Sequence, residues 1–273
     1  MSKVICDTNV WYQLGKQGIH KIVPLLQEDT LYITQLSYFE LISTENIYSH
    51  FDIVKAANIA LQKHGHFLVE NDMQHVLNAL GIGFVECKGI DCREIICEVC
   101  QEITNAQSIK DLKYNYQEVS IGRQRTTHNI AEQLNKFIIA NKKKHLTEDT
   151  FRHYVAFCLR RDTIAYIFRH RVILRHHPFR ILSLKVYKET FSLYINVFAG
   201  FLYTVYGFQK KKEPMKVQPN DYIDFRNLIY CTGSYKYLTL ERTSGNRIGG
   251  MLRKYGQSYV HKHSNTIRAK LNR

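Results

Sequence analysis

The chain lacks most features that divide a protein into domains or that reveal a familiar catalytic centre. Only four of its 273 residues are proline, and no glycine- or serine-rich stretch separates two segments. One body with an internal insertion is therefore favoured over two domains on a linker. The sequence contains no phosphate-binding glycine loop, no His-Glu-x-x-His motif and no Gly-x-Ser-x-Gly turn. These absences argue against P-loop, zinc-hydrolase and serine-hydrolase chemistry.

Two further absences concern the cellular compartment. The N-terminal segment has no basic stretch followed by an apolar run and a small-residue cleavage site, so export is not indicated. The seven cysteines are an odd number scattered along the chain, which favours reduced thiols and a cytoplasmic protein. Cys92, Cys97 and Cys100 have the spacing of a plant-type iron–sulfur site, but the residues between them favour a helix. We interpret them as small buried hydrophobic residues.

Positive charge is what the chain has in excess. Its formal net charge is +14, which would attract a polyanion over a long range at low salt. The basic residues cluster in the middle-to-late part of the chain, at residues 142–145, 160–161, 169–171, 175–177 and 210–212. Such clustering favours a binding surface over uniform solvation, and nucleic acid is the first candidate partner.

One long uncharged segment allows two interpretations. Residues 190–209 carry no charged side chain, and Lys210, Lys211 and Lys212 follow directly, as in a membrane span with a positive flank. The segment nevertheless includes serine, asparagine, threonine and tyrosine side chains. We therefore predict a helix buried in the core and no association with a membrane.

The pattern of strands and helices predicts an α/β fold. Residues 3–6, 31–34 and 237–240 are short apolar strands, and 258–261 is a candidate for a last edge strand. Helices are predicted to begin near Val10, at residues 37–40 as a capping box, and at 220–230, while residues 45–185 are mostly helical. Strand and helix alternate at both ends around a helical middle, which indicates a parallel sheet interrupted by an insertion.

Acidic residues follow these strands. Asp7 ends the first strand, Glu40 lies in the helix after the second, and Glu241 ends the third. Because the carboxyl ends of parallel strands meet at one edge of a sheet, we expect these side chains to converge there. Each acid alone has an ordinary explanation as a helix cap or a solvated residue. Together they predict a site for Mg²⁺ or Mn²⁺, since clustered carboxylates repel one another unless a cation is bound.

These residues resemble the PIN-domain family of metal-dependent nucleases. The resemblance rests on Asp7 in CDTNV, Glu40 in SYFEL, Asp221 with Asp224 in NDYIDF, and Glu241 in LTLE. It implies a three-layer α/β/α fold with a core of residues 1–50 and 214–273, and a large helical insertion of residues 51–213. The fourth acid is glutamate where the family commonly has aspartate. Asp221 and Asp224 compete for the third place, and we expect Asp221 to be the ligand and Asp224 a second ligand or outer partner.

The resemblance implies a Mg²⁺- or Mn²⁺-dependent endoribonuclease. Asp7 and Asp221 would be the central ligands and Glu40 and Glu241 would position the ions or the water. Candidate substrate-binding residues are Thr8, Asn9, Thr239, Lys210, Lys211 and Lys212.

RNA is preferred over DNA as the substrate on the resemblance alone, and members of the family are often toxins with an antitoxin, defence effectors or RNA-processing enzymes. The insertion could set substrate choice, bind a protein regulator or mediate a homo-oligomer. The alternative is a nucleic-acid-binding module without catalysis.

Overall fold

A four-stranded parallel sheet forms the centre of the protein. The computed structural model describes residues 2–18, 29–68, 70–82, 92–170, 182–209, 215–241, 245–260 and 264–271. The strands are β1 (Ser2–Cys6), β2 (Asp29–Thr34), β3 (Gly65–Leu68) and β4 (Tyr235–Leu238), in the spatial order β3-β2-β1-β4. The chain moves outward from β1 through β2 to β3 and later returns to the other side of β1. The strand order therefore reverses beside β1, the place where open parallel sheets build their sites.

Helices cover both faces of this sheet. In the described residues they are α1 (Thr8–Gln17), α2 (Gln35–Leu41), α3 (Thr44–Ser49), α4 (Phe51–His64), α5 (Asp72–Ala79), α6 (Cys92–Asn105), α7 (Tyr116–Ala140), α8 (Glu148–Arg169), α9 (Leu184–Thr190), α10 (Ser192–Phe208), α11 (Pro219–Arg226), α12 (Ile248–Tyr255) and α13 (Ser264–Leu271). Short 3-10 turns at Ile109–Asp111, Asn227–Tyr230 and Gln257–Tyr259 join some of them.

The alternation of side chains along β1 divides the core into two layers. Val4 and Cys6 pack with Trp11 of α1 and Leu61 of α4 on one face. Ile5 faces the other way, into a larger cluster built from α5 and α7 to α12. Both faces of the sheet are therefore buried, as the short apolar sequence of β1 requires. The predicted α/β fold with a central parallel sheet between helical layers is confirmed.

Helix α10 accounts for most of the uncharged segment 190–209. Eleven of its residues are buried, on all sides of the helix, as expected for a helix inside a protein core. No single helix among the described residues is long and apolar enough to cross a bilayer. Only α9 and α10 taken together pass such a test, and the chain bends by 93° between them.

Several local predictions differ from the structure. Strand β3 and helix α4 belong to the sheet and its covering layer, although both lie in the predicted insertion, residues 51–213. Helix α2 starts before the predicted capping box, because the Thr34 hydroxyl accepts the Ser37 N–H at 3.0 Å. The segment 258–261 is described only to residue 260, and it makes a single bridge from Val260 to Tyr237. Among the predicted buried cysteines, Cys100 is buried and Cys97 is exposed.

Candidate active site

Asp7 lies where β1 passes into α1. Its backbone N–H donates to the carbonyl of Leu238 at 2.9 Å, which continues the pairing of β1 with β4 by one step. Its Oδ1 accepts the Thr8 N–H at 2.8 Å and caps the helix. Asp7 is 3 % exposed, so the end of the central strand and the start of the first helix hold one buried carboxylate in place.

Asn9 and Thr239 fix the other oxygen of this carboxylate. Asp7 Oδ2 accepts from Asn9 Nδ2 at 2.9 Å and from Thr239 Oγ1 at 2.9 Å. The Leu240 N–H donates to Asn9 Oδ1 at 3.0 Å, and the Glu241 N–H to Thr239 Oγ1 at 3.1 Å. The two strand ends are therefore tied together through side chains. Asn9 and Thr239 orient Asp7, and their polar groups are engaged with protein atoms.

Glu40 of α2 lies against the same region from the β2 side. Its Oε2 accepts from Thr8 Oγ1 at 2.8 Å, and its Oε1 lies 3.2 Å from a guanidinium nitrogen of Arg123, on α7. Its backbone carbonyl accepts from Asn46 Nδ2 at 2.9 Å. Thr8 therefore positions Glu40 next to Asp7, and a helix from the middle of the chain contributes the positive partner.

The structure distinguishes the two aspartates of α11. Asp221 accepts the Gln218 N–H at 2.6 Å as the third helical residue of a capping box, and it pairs with Arg247. Burial raises the pKa of its carboxyl, while the Gln218 bond and Arg247 oppose that shift. Asp224, one turn later, lies on the wall of the cleft that also contains Asp7. Asp221 is engaged at the start of the helix, and Asp224 is the aspartate of this pair that lines the cleft.

The acids meet in one cleft of about 320 Å³. Its described lining residues are Asp7, Thr8, Asn9, Tyr12, Gln13, Glu40, Asn46, Asn220, Asp224 and Glu241. Four of these are carboxylates and, among the described lining residues, none is lysine or arginine. The structure thus brings together Asp7, Glu40, Glu241 and Asp224, and leaves Asp221 outside the lining.

Burial and mutual repulsion raise the pKa values of the Asp7 and Asp224 carboxyl groups in this cleft. Burial raises the pKa of the Asp7 carboxyl to about 7, and the negative charge of Glu40 adds to this, while hydrogen bonds from Thr239 and Thr8 act against it. Burial also raises the pKa of Asp224 well above its usual range, and the charges of Asp7, Glu40 and Glu241 raise it further. A bound cation would offset this repulsion directly.

The residues present fit a hard divalent cation by chemistry. All four acidic groups offer oxygen ligands, which Mg²⁺ and Mn²⁺ prefer. Beneath them, the buried hydroxyl of Tyr237 has no hydrogen-bond partner in the described part of the chain. Burial and then the charges of Asp7 and Asp224 raise its pKa. Among the described residues, however, no three acidic, imidazole or thiol groups lie close enough together to form a ready ligand shell. The four acids border one cleft without surrounding a single point.

Some site residues escaped sequence reasoning, and some predictions cannot be placed. Asn46 lines the cleft and Arg123 contacts its Glu40, and no local motif marks either residue. Asn220 also lines the cleft; it lies in the NDYIDF motif, where only the two aspartates were singled out. Residues 210–212, predicted as substrate-binding lysines, lie outside the described residues.

Comparisons with known proteins add no assignment. No protein-family model matches the chain, and no match was found among curated proteins or solved structures.

Proposed function

We propose that the protein is a Mg²⁺- or Mn²⁺-dependent nuclease that hydrolyses phosphodiester bonds in RNA. The observation that carries this proposal is the convergence of Asp7, Glu40, Asp224 and Glu241 on one cleft at the carboxyl edge of the sheet. The PIN-like character inferred from the acidic motifs agrees with this arrangement, and Asp224 takes the ligand place first expected for Asp221.

The side chains can be given separate tasks. Asp7 is buried and Asp224 is partly exposed on the cleft wall, and these two would hold the ion most directly, with Glu40 and Glu241 completing the set. When bound, a divalent ion activates water and stabilises the negative charge that develops on a phosphate. Thr8, Asn9 and Thr239 keep the acids in orientation through the hydrogen bonds described above. Tyr12, Gln13, Asn46 and Asn220 form the neutral part of the wall, where substrate groups could be hydrogen-bonded.

A second region of α7 and α8 has the composition expected for binding a single strand. An open groove of about 670 Å³ lies between the end of α7 and the start of α8, with Lys144, Tyr154 and Phe157 in its lining. The side chain of Phe157 is 45 % exposed, and residues 142–145 are all exposed beside it. Exposed aromatic rings can stack unpaired bases, and lysines attract the phosphates.

This groove and the cleft lie along the same helix. From position 123 to position 141, α7 and its cap extend about 27 Å at the usual 1.5 Å rise per residue. A strand of several nucleotides could therefore reach both places. We include in the proposal a cytoplasmic location and RNA as the preferred polymer. The proposal also includes two kinds of protein contact. One is binding of a protein regulator such as an antitoxin, and the other is formation of a homo-oligomer.

The aspartate pair on α11 provides the sharpest test. Asp224→Asn should abolish Mn²⁺-dependent cleavage of a labelled RNA, as should Asp7→Asn, while binding of the RNA persists. Asp221→Asn, three residues away, should retain cleavage, because Asp221 does not line the cleft. Chelator should stop cleavage by the wild-type protein. Equal cleavage by wild type and by Asp224→Asn would refute the proposal.

A nucleic-acid-binding module without catalysis is the second candidate. It is favoured by one observation, namely that the described acids do not form a ready ligand shell. That alternative predicts RNA binding by the wild-type protein with no cleavage under Mg²⁺ or Mn²⁺.

A further inference from the structure

The ion pair between Arg123 and Glu40 connects the middle of the chain to the acidic cleft. The two groups lie 3.2 Å apart, and each side chain is 20 % exposed, so the pair is mostly covered. Glu40 lines the cleft, and Arg123 contacts the cleft through Glu40. Helix α7 holds Arg123 firmly, because Ser120 and Thr127 on the same side of the helix are buried. Arg125, two positions further on, is exposed and points to a different side.

The cleft needs a positive group that its own lining does not supply. A phosphodiester carries negative charge, and four acids would repel it. Among the described lining residues there is no lysine or arginine. Arg123 is in direct contact with one of the four acids. A guanidinium group has five N–H donors in a planar fork that matches the oxygens of a phosphate.

A cation bound to Glu40 would compete with Arg123, because both are positive and both would contact the same carboxylate. Glu40 Oε2 is engaged by the Thr8 hydroxyl, and its Oε1 is engaged by Arg123. If Glu40 turns Oε1 to a cation, Arg123 loses its anionic partner at the wall of the cleft. The guanidinium then lies next to the place where the substrate phosphate must enter.

We propose that Arg123 is the substrate-positioning residue of this site, pairing with Glu40 in the absence of a cation and with a phosphate of the RNA when Glu40 serves the cation. This inference rests on the proposed function, because it takes the cleft as the place where RNA and the ion bind. The inference gives helix α7, from the middle of the chain, a direct part in recognising the substrate.

The exchange can first be measured without RNA. Mn²⁺ binding to metal-free protein, followed by isothermal titration calorimetry, should be about two- to fivefold tighter in Arg123→Ala than in wild type. The reason is that Glu40 no longer has to give up a partly buried partner. Arg125→Ala removes the same charge from the same helix and should bind Mn²⁺ as wild type does. Equal or weaker Mn²⁺ binding by Arg123→Ala would refute the exchange.

The phosphate contact is measured by RNA binding in Ca²⁺, a probe that separates binding from cleavage. Fluorescence anisotropy of a labelled single-stranded RNA should show about tenfold weaker binding for Arg123→Ala, since a charge-assisted contact is lost. Arg123→Lys should recover part of the lost RNA affinity. The RNA affinity of Arg125→Ala should equal that of wild type within about twofold. In Mn²⁺ cleavage, Arg123→Ala should raise KM more than it lowers kcat.

These results separate the two proposals. Cleavage by wild type with equal RNA binding by Arg123→Ala and Arg125→Ala would overturn the role of Arg123 and leave the nuclease assignment standing. An inert wild-type protein whose RNA binding still depends on Arg123 would overturn the nuclease assignment alone. Circular dichroism and thermal unfolding of each variant would show whether Arg123→Ala stays folded, and Arg123→Lys provides the second variant if it does not.

Discussion

The buried Asp7 carboxyl predicts that the metal-free protein loses stability as the pH rises. The pKa of Asp7 is about 7 in the folded protein, against an ordinary value of 3.8, so the folded state holds this proton more tightly than the unfolded chain does. Below about pH 4 both states are protonated and Asp7 has no net effect. Between pH 4 and pH 7 the unfolded chain releases the proton first, and stability falls. Above about pH 7 the full loss of stability from Asp7 is present.

The size of the loss follows from the shift. About three units of pKa correspond to about 4 kcal/mol of unfolding free energy, at about 1.36 kcal/mol per unit. Asp224 acts in the same direction, because burial and the neighbouring acids raise its pKa as well. Asp7→Asn removes the Asp7 contribution. Asparagine ranks beside aspartate as a helix N-cap, so the start of α1 is retained.

Urea denaturation at pH 4.5 to 8 in the presence of chelator measures this directly. The difference in unfolding free energy between wild type and Asp7→Asn should shift by up to about 4 kcal/mol in favour of the variant as the pH rises. A fixed cost from the altered bonds to Asn9 and Thr239 would displace the whole curve without changing its slope. Asp52→Asn, at an exposed position in the first turn of α4, should run parallel to wild type.

Two outcomes would refute this reasoning. One is a difference between wild type and Asp7→Asn that stays constant over the whole pH range. The other is a pH-dependent loss of stability in wild type that saturating Mn²⁺ does not reduce, because a cation in the cleft must offset the charge on Asp7.

Two further predictions concern packing and the basic surface. A Cβ on Gly15 would overlap the carbonyl oxygen of Ile53 and lie 2.9 Å from the Ala57 nitrogen. Gly15→Ala should therefore lower the unfolding free energy by about 1–3 kcal/mol. Gly122→Ala, with open space around it in α7, should raise it by about 0.5–1 kcal/mol. Both are measured by urea denaturation, and a stabilised Gly15→Ala would contradict the close crossing of α1 and α4. Replacing Lys142, Lys143 and Lys144 by glutamine should weaken single-stranded RNA binding and reduce the slope of log affinity against log salt by about 2, at about 0.7 per charge. The matched triple at Lys63, Lys110 and Lys113, also exposed, should leave that slope unchanged in fluorescence anisotropy.

Local chemistry explains what could be predicted from the sequence. Strands β1, β2 and β4 have short apolar sequences, which is why they could be located. Asp7 could be placed because a carboxylate directly after a buried strand is fixed by the backbone itself. The convergence of Glu40 and Glu241 followed from the parallel order of the strands.

Strand β3 was missed because its signal is weak. Gly65–Leu68 begins with glycine and histidine, is only partly buried, and pairs with β2 alone at the edge of the sheet. The choice between Asp221 and Asp224 depended on the rotation of α11, which its N-cap Gln218 and the partner Arg247 set. Arg123 could not be found locally, since it lies 83 positions from Glu40 and only the packing of α7 brings them together.

Helix α7 also helps to position the elements that carry the acids of the cleft. Asn135 of α7 donates to the carbonyl of Val217 and accepts its N–H, both at 2.9 Å, just before α11 begins. These two bonds fix the start of the helix that carries Asp224, while Arg123 of the same α7 engages Glu40. One helix from the predicted insertion thus helps to position two of the four acids. Helix α7 therefore belongs to the architecture of the site, although it lies in the predicted insertion.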